Sequence, residues 1–396
     1  MSRVAKLIMV TGANNNKYYD MVEEGNTIHV KYGRVGVTEC DASYHTSKWD
    51  SLYKAKIKKG YKDVTGLRVE TTVMDFTAIS SDIISAFVAE LQAFAKGSIS
   101  SNYTVSSDAV TQKQVDEAQK LLDKAVGIFN TWKKPSAAIF DQILLELYQT
   151  IPRRMAHVSD HLVSGGAKPE DILTDEQATL DVMKGQVRIN TVKKDIKTDD
   201  KQTILDAMGL AIESTNDDDV RLIKTELGDI ARRYRRSFRV TNKRTQERFD
   251  KWLKTAKSKT RKLFWHGSRN ENWWSILDSG LVLRPTNAVI TGKMFGKGLY
   301  FADKAGKSLG YTSCYGSRWA SGDSNKGFLS LYDVHLGNSY VSKNREGWMG
   351  SATESSLKAR GNYDSLSALG GADLINNEFI VYNEAQCTVK YIVEVG

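Results

Sequence analysis

The spacing of apolar residues changes several times along the chain. From Lys6 to about Phe76 apolar and polar positions alternate over short runs: Leu7 and Met9, then Ile28, Val30 and Tyr32 before Gly33, with Asn14–Asn16 as a turn. A period of two predicts strands, so this stretch is read as a small sheet with one helix near Ser47–Lys59. At Asp82, a capping residue, the spacing becomes three and four through Ile83, Ile84, Phe87, Val88, Leu91 and Phe94, which predicts a helix closed by Gly97–Ser101. Val115, Ala118, Leu121, Leu122 and Ile128 predict a second helix. Pro135 opens a third through Ile139, Phe140, Ile143, Leu144, Leu147 and Tyr148, and Pro152 ends it. A short fourth is expected over Thr174–Lys184. Beyond Gln186 the strand-like period returns at Val187, Ile189 and Val192, followed by a helix around Thr203–Ile212, the triple Asp217–Asp219 and aromatic-rich strands. The clearest strands are Phe379–Tyr382 and Cys387–Val395; in the latter Val389, Tyr391, Val393 and Val395 alternate with Thr388, Lys390, Ile392 and Glu394.

These textures divide 396 residues into three parts, in keeping with a core that seldom grows beyond about 250 residues. The chain is 41% hydrophobic and 26% charged, and no apolar run reaches the roughly 18 residues of a membrane span. Leu7–Val10 is too short an apolar stretch for a secretory signal, so the expected address is intracellular. Cys40, Cys314 and Cys387 form no CxxC pair, which argues against a disulfide framework or a cysteine-built zinc site; no metal is expected.

The net charge of +9 favours an anionic partner, and its location is more informative than its size. Between Asp229 and Lys262 stand 14 Lys or Arg against three acids, a net of +11, so the rest of the chain is near neutral. Phe238, Val240, Phe249, Trp252 and Leu253 within that run predict a strand and then a helix with a charged outer face. A phosphate track and a solvated face are both open readings. A smaller cluster, Lys54, Lys56, Lys58, Lys59 and Lys62, lies among Trp49, Tyr53 and Tyr61; it suits a nucleic-acid surface, and helix solubility also explains it.

Four strings in the last third carry the candidate chemistry: Phe264-Trp265-His266-Gly267-Ser268-Arg269, Met294-Phe295-Gly296-Lys297-Gly298-Leu299-Tyr300-Phe301-Ala302-Asp303, Gly306-Lys307-Ser308-Leu309-Gly310-Tyr311 and Asn377-Glu378-Phe379-Ile380-Val381-Tyr382. Glycine beside the histidine and the tyrosine allows close approach to backbone. Gly296-Lys297-Gly298 precedes a strand-like segment and has no third glycine at the right spacing, which excludes a dinucleotide-fold fingerprint. Singly, His266 is equally well a core histidine, Tyr300 and Tyr311 packing residues, and Glu378 an edge charge. Their joint occurrence favours one nucleotide-like pocket.

Together these strings resemble the catalytic domain of the poly(ADP-ribose) polymerase (PARP) family, over about Val187–Gly396. The resemblance implies a split β-sheet ADP-ribosyltransferase fold, NAD+ as substrate, and a His266, Tyr300 and Glu378 triad. It implies that His266 bonds the NAD ribose, that Gly267 and Ser308 hold the nicotinamide amide, and that Tyr300 and Tyr311 flank its ring. Ser268, Phe301, Ala302 and Lys307 are further expected NAD contacts, with Arg284 on the adenine side; Lys293 stands where the family often has an aromatic. The chemistry is consistent on its own terms. Cleaving nicotinamide from ribose builds oxocarbenium-like charge, which a carboxylate such as Glu378 stabilises while orienting an acceptor hydroxyl.

Upstream, Lys31-Tyr32-Gly33-Arg34-Val35-Gly36 with Lys59-Gly60-Tyr61-Lys62-Asp63 resembles a WGR domain, with Tyr32 in place of tryptophan. That implies DNA contact through Tyr32, Gly33 and Arg34, the arginine offering a phosphate-binding fork. The helical block, with Leu147-Tyr148-Gln149-Thr150-Ile151-Pro152, resembles the regulatory helical domain that restrains NAD entry until DNA is bound. The expected organisation is α+β multidomain: 1–76 a WGR-like DNA-binding domain, 77–186 an all-α regulatory bundle and 187–396 the catalytic domain. The expected function is DNA-break-stimulated transfer of ADP-ribose to proteins, itself included, with retention of Glu378 favouring polymer. The expected partners are DNA with strand breaks and acceptor proteins, with no membrane, in the nucleus of a eukaryote or the cytoplasm or nucleoid of a bacterial or viral setting. Single transfer, NAD hydrolysis and an inactive DNA-binding scaffold are the competing readings.

Overall fold

Alternation in the first 65 residues builds an antiparallel sheet from β1 (Val4–Thr11), β2 (Asn15–Glu24), β3 (Thr27–Arg34), β4 (Cys40–His45) and β5 (Lys62–Asp63), in the order β4-β3-β2-β1-β5. The inward residues Leu7, Met21, Ile28 and Val30 pack with Trp49 of α1 (Trp49–Lys58) and Tyr61, as the period of two requires. The computed structural model describes residues 3–37, 39–65, 76–104, 110–131, 136–195, 202–283, 294–318, 320 and 322–396, the side chains of 131 and 189–195 aside.

Four long helices follow: α2 (Asp82–Asn102), α3 (Gln112–Thr131), α4 (Ala137–Thr150) and α5 (Pro169–Asp195). Two expectations fail here. Gly97–Ser101 does not close α2, which runs on through it to Asn102. Val187, Ile189 and Val192 are not a strand but the end of α5, which is far longer than Thr174–Lys184. The buried residues Leu180, Met183 and Val187 recur at three and four positions, and that helical stripe prevails over the alternation of three β-branched residues. Pro135, the expected helix opener, lies outside the described residues.

The rest of the chain forms α6 (Ile204–Met208), β6 (Leu210–Ser214), α7 (Asp217–Leu227), β7 (Tyr234–Asn242), α8 (Lys243–Thr255), β8 (Arg261–Ser268) and α9 (Trp273–Ser279), then β9 (Leu299–Phe301) and α10 (Ala305–Leu309). After these come β10 (Gly327–His335), β11 (Ser339–Ser342), α11 (Glu354–Gly361), β12 (Ser365–Ala368), β13 (Glu378–Val381) and β14 (Cys387–Val395). The helix expected over Thr203–Ile212 stops at Gly209, whose φ of 67° ends it and turns the chain into β6. The basic run folds as the strand and helix its pattern predicts, β7 and α8. Two sheets result, β6-β7-β14-β10-β8 and β11-β12-β13-β9, so the protein is of the mixed α+β class.

Contacts divide the chain into two units, Met1–Val73 with Lys96–Thr191 and Met74–Ala95 with Val192–Gly396. In the first, the helical block is fastened to the N-terminal sheet: Asn16 Nδ2 donates to the Arg153 carbonyl (3.1 Å) and Gln149 Nε2 to that of Val10 (3.0 Å). In the second, the early part of α2 packs on β7, because Phe87 is fully buried against Phe238, ring centroids 4.2 Å apart.

Much of the basic run is spent holding this second unit together. Arg236 pairs with Glu90 and Glu394, Arg239 with Asp219, Arg244 with Asp278, Arg248 with Glu384 and Arg261 with Asp333. Asp219 illustrates the energetics. Burial pushes its carboxyl up, but hydrogen bonds from Tyr391, Arg239 and the Asn216 backbone outweigh burial and hold it below the ordinary aspartate value. A lowered folded pKa stabilises above the unfolded value, about 4, and that stability is lost as pH falls through the folded value. Asp219→Asn is therefore expected to cost about 1–2 kcal/mol at pH 7, discounted for the half-exposed Arg239. In urea melts the gap from wild type should close as pH drops below about 4; a gap independent of pH contradicts this account.

Candidate active site

The two sheets of the second unit meet at one bridge: Trp265 N–H donates to the Ala302 carbonyl (2.8 Å) and Ala302 N–H to that of Trp265 (3.0 Å). The four strings converge there. β8 brings His266, Gly267 and Ser268; β9 brings Tyr300 and Phe301; β13, paired to β9 through Tyr300 and Ile380, brings Glu378; and α10 brings Lys307 and Ser308.

His266 is half-buried in an aromatic cage, its ring 6.0 to 6.4 Å from those of Phe301, Tyr332 and Trp273. Its Nδ1 lies 3.1 Å from the Tyr300 carbonyl, which can only accept, so Nδ1 carries the proton in the tautomer this contact selects. One backbone atom of Tyr300 thus sets the orientation of His266.

The Tyr300 hydroxyl donates to the Gly296 carbonyl (2.9 Å) and accepts from Phe295 N–H (3.2 Å), fastening the turn before β9. Burial pushes its phenol well above the ordinary tyrosine range, so it stays a neutral donor. Tyr311, just past α10, remains 41% exposed; burial first and the Glu378 charge second raise its pKa too. In both tyrosines the Glu378 charge adds to the rise that burial causes.

Lys307 Nζ donates to Glu378 Oε1 and, at 3.2 Å, to the Asn377 carbonyl. Lysine and glutamate are each about 85% buried, at 14% and 15% side-chain exposure, so their attraction is little screened. Gly267 is where α10 crosses β8: a Cβ there would lie 2.0 Å from the Ser308 carbonyl oxygen, so no larger residue fits without moving α10.

The expected site residues do not all play one part. His266, Gly267, Tyr300, Lys307, Ser308, Tyr311 and Glu378 are gathered by the bridge, β13 and α10. Phe301 and Ala302 are buried at 3%, one beneath His266 and the other in the bridge, so their side chains act as scaffold. The Ser268 hydroxyl accepts from Asn272 Nδ2 (2.9 Å). Arg284 and Lys293 lie outside the described residues. Sequence reasoning missed Asp303 and Asn377 as site residues. Asn377 Nδ2 donates to Asp303 Oδ2 (2.6 Å), a contact set by the β9–β13 register, although both residues stand inside the quoted strings. Among the described residues no group of His, Cys, Asp or Glu is gathered where it could hold a metal ion, and no helix is long and apolar enough to cross a membrane.

A sequence profile described as the poly(ADP-ribose) polymerase catalytic domain matches residues 232–396, the stretch containing every described residue of this site. The 101L protein of Invertebrate iridescent virus 6 is 34% identical over 191 residues, covering 48% of this chain and 80% of its own length. The poly [ADP-ribose] polymerase-like 100L protein of the same virus is 32% identical over 188 residues, covering 46% of this chain and 96% of its own. Poly [ADP-ribose] polymerase 2 of Homo sapiens is 35% identical over 159 residues, 34% of this chain and 26% of that protein. By these similarities the protein is an NAD-dependent ADP-ribosyltransferase. The chain belongs to the poly(ADP-ribose) polymerase family.

Proposed function

We propose that this enzyme is stimulated by DNA breaks and builds poly(ADP-ribose) on proteins, itself included. The observation that carries the catalytic half is the buried Lys307–Glu378 pair beside the Trp265–Ala302 bridge, with His266 and the two tyrosines around it. In this reading Gly267 and Ser308 bind the nicotinamide amide, Tyr300 and Tyr311 flank the ring, and His266 orients the ribose. Arg284 contacts the adenine side. As the bond from nicotinamide nitrogen to ribose C1′ breaks, its electron pair leaves with nicotinamide and positive charge grows on the sugar. The Glu378 carboxylate stabilises that charge and accepts the proton of the attacking acceptor hydroxyl, which on a growing chain is a ribose hydroxyl. Because the fixed groups are already hydrogen-bonded in place, little reorganisation accompanies the step.

The DNA half rests on the N-terminal sheet. Tyr32 is 37% exposed at β3, over Tyr19 at 5.8 Å, and Lys56 Nζ lies 3.7 Å above the Tyr19 ring. With Tyr19 itself buried, Tyr32 and Lys56 are the aromatic and cationic groups left to meet sugar and phosphate. Arg34 is already engaged: its guanidinium donates to the Asn14 carbonyl (2.8 Å), Asn14 Oδ1 (2.8 Å) and the Ala156 carbonyl (3.0 Å). A phosphate at Arg34 competes with Ala156, which lies just past the Leu147–Pro152 segment, so DNA capture there loosens the tie between sheet and helical block. Changing Tyr32 and Arg34 together to alanine is expected to weaken binding of nicked duplex and to reduce the slope of log affinity against log salt by about one. Unchanged affinity and slope in the folded double variant refute the DNA half and leave the transferase half standing.

A further inference from the structure

One half-buried acid beside the site has a buried oxygen with no explanation. Asp303 follows β9 and Asn377 precedes β13, directly opposite one another where the register of the two strands continues. The Asn377 amide is fully assigned: Oδ1 accepts from Gly370 N–H (2.8 Å), so Nδ2 is the group that donates to Asp303 Oδ2 (2.6 Å). Lys307 takes the carbonyl of the same residue and the carboxylate of the next. The peptide that delivers Glu378 is therefore held from its side chain by Asp303 and Gly370 and from its carbonyl by Lys307. The second oxygen of Asp303, Oδ1, is buried among the described atoms without a hydrogen-bond partner. Leaving a charged oxygen so is costly, and neutral residues would hold a strand end more cheaply.

We infer that Asp303 is a positioning residue for ADP-ribosyl transfer: through the Asn377 amide it fixes the peptide whose next side chain is Glu378, so that carboxylate and Lys307 ammonium meet in one orientation. Asp303 touches neither of the two directly in the described contacts; it acts through Asn377. The inference rests on Glu378 being the group that meets the developing charge.

The arrangement has a reversible test. Asn377→Asp sets two carboxylates against each other across the strands, whereas Asp303→Asn together with Asn377→Asp restores the contact with donor and acceptor exchanged, and the new carboxylate still accepts from Gly370. On full-length protein, Asn377→Asp is expected to lower kcat for nicotinamide release by about 10²-fold, the cost of roughly 1 Å of misplacement, with KM for NAD within about two-fold. The exchanged pair should recover kcat to within about ten-fold of wild type. Asp303→Ala, which keeps the fold free of like charges, should lower kcat at least ten-fold, again with little change in KM. Full activity in Asp303→Ala, or an exchanged pair that folds as stably as wild type yet recovers nothing over Asn377→Asp, overturns the inference. Glu378→Gln run alongside separates the two failures: if that variant is also fully active, it is the reading of Glu378 that has fallen.

Discussion

Glu378→Gln is expected to cut the rate of nicotinamide release by about 10²–10³-fold, the usual loss when a fixed group facing transition-state charge is neutralised. The substitution keeps the size of the side chain and an oxygen able to accept from Lys307, so β13 and its pairing with β9 should survive. KM for NAD should stay within a few-fold, because the groups assigned to nicotinamide lie on β8, β9 and α10. A loss confined to kcat marks an interaction made in the transition state. The product should change as well: an enzyme that no longer deprotonates a ribose hydroxyl stops after the first unit. Steady-state nicotinamide release and product mobility on a gel read both effects, and wild-type kcat with wild-type chain length would remove Glu378 from the chemistry.

The second large effect belongs to Gly267. α10 crosses β8 so closely that an alanine Cβ would fall 2.0 Å from the Ser308 carbonyl oxygen, which is backbone and has nowhere cheap to go. On the same face, Leu329 Cδ2 of β10, registered with Gly267 and fully buried, would lie 3.4 Å from that Cβ, and because β8 is held along β10 it is α10 that must yield. Overpacking of this kind costs about 1–3 kcal/mol of stability. Its functional consequence is larger, because Lys307 and Ser308 move with α10. Gly267→Ala is expected to lower kcat/KM for NAD by about 10²-fold, with the loss mainly in KM, the reverse of the Glu378→Gln pattern. A folded Gly267→Ala protein with unaltered KM would mean that α10 adjusts without disturbing the NAD site.

What the chain reveals before folding differs from one element to another. Of the two terminal strands, Phe379–Tyr382 is legible as a short apolar run and Cys387–Val395 from alternation, and β14 is central in its sheet, so even its polar face, at Thr388, is buried. The four strings are legible because their residue types are unusual and local. Their convergence is not, since it depends on the Trp265–Ala302 bridge, between residues 37 positions apart, and on the β9–β13 register, which pairs residues 78 to 82 positions apart. The Asp303–Asn377 contact escapes for the same reason. Alternation misleads at Val187, Ile189 and Val192, where three residues suffice to imitate a strand and only the buried stripe from Leu180 onward reveals the helix. The basic run leaves a phosphate track and a solvated face both open. Its arginines at 236, 239, 244, 248 and 261 each find a carboxylate elsewhere in the chain, ion pairs that spacing alone does not reveal.

The central claim is that this site turns over NAD under the control of broken DNA and extends the product. The most direct test incubates purified full-length protein with NAD labelled in its adenylate part, with and without nicked duplex, and resolves the protein-bound label by size. The account predicts slow turnover without DNA, a marked increase with nicks, and a ladder of label on the enzyme itself. Turnover that ignores DNA and leaves a single unit on the acceptor contradicts both the polymerase reading and the coupling, and reduces the protein to a constitutive single-unit transferase.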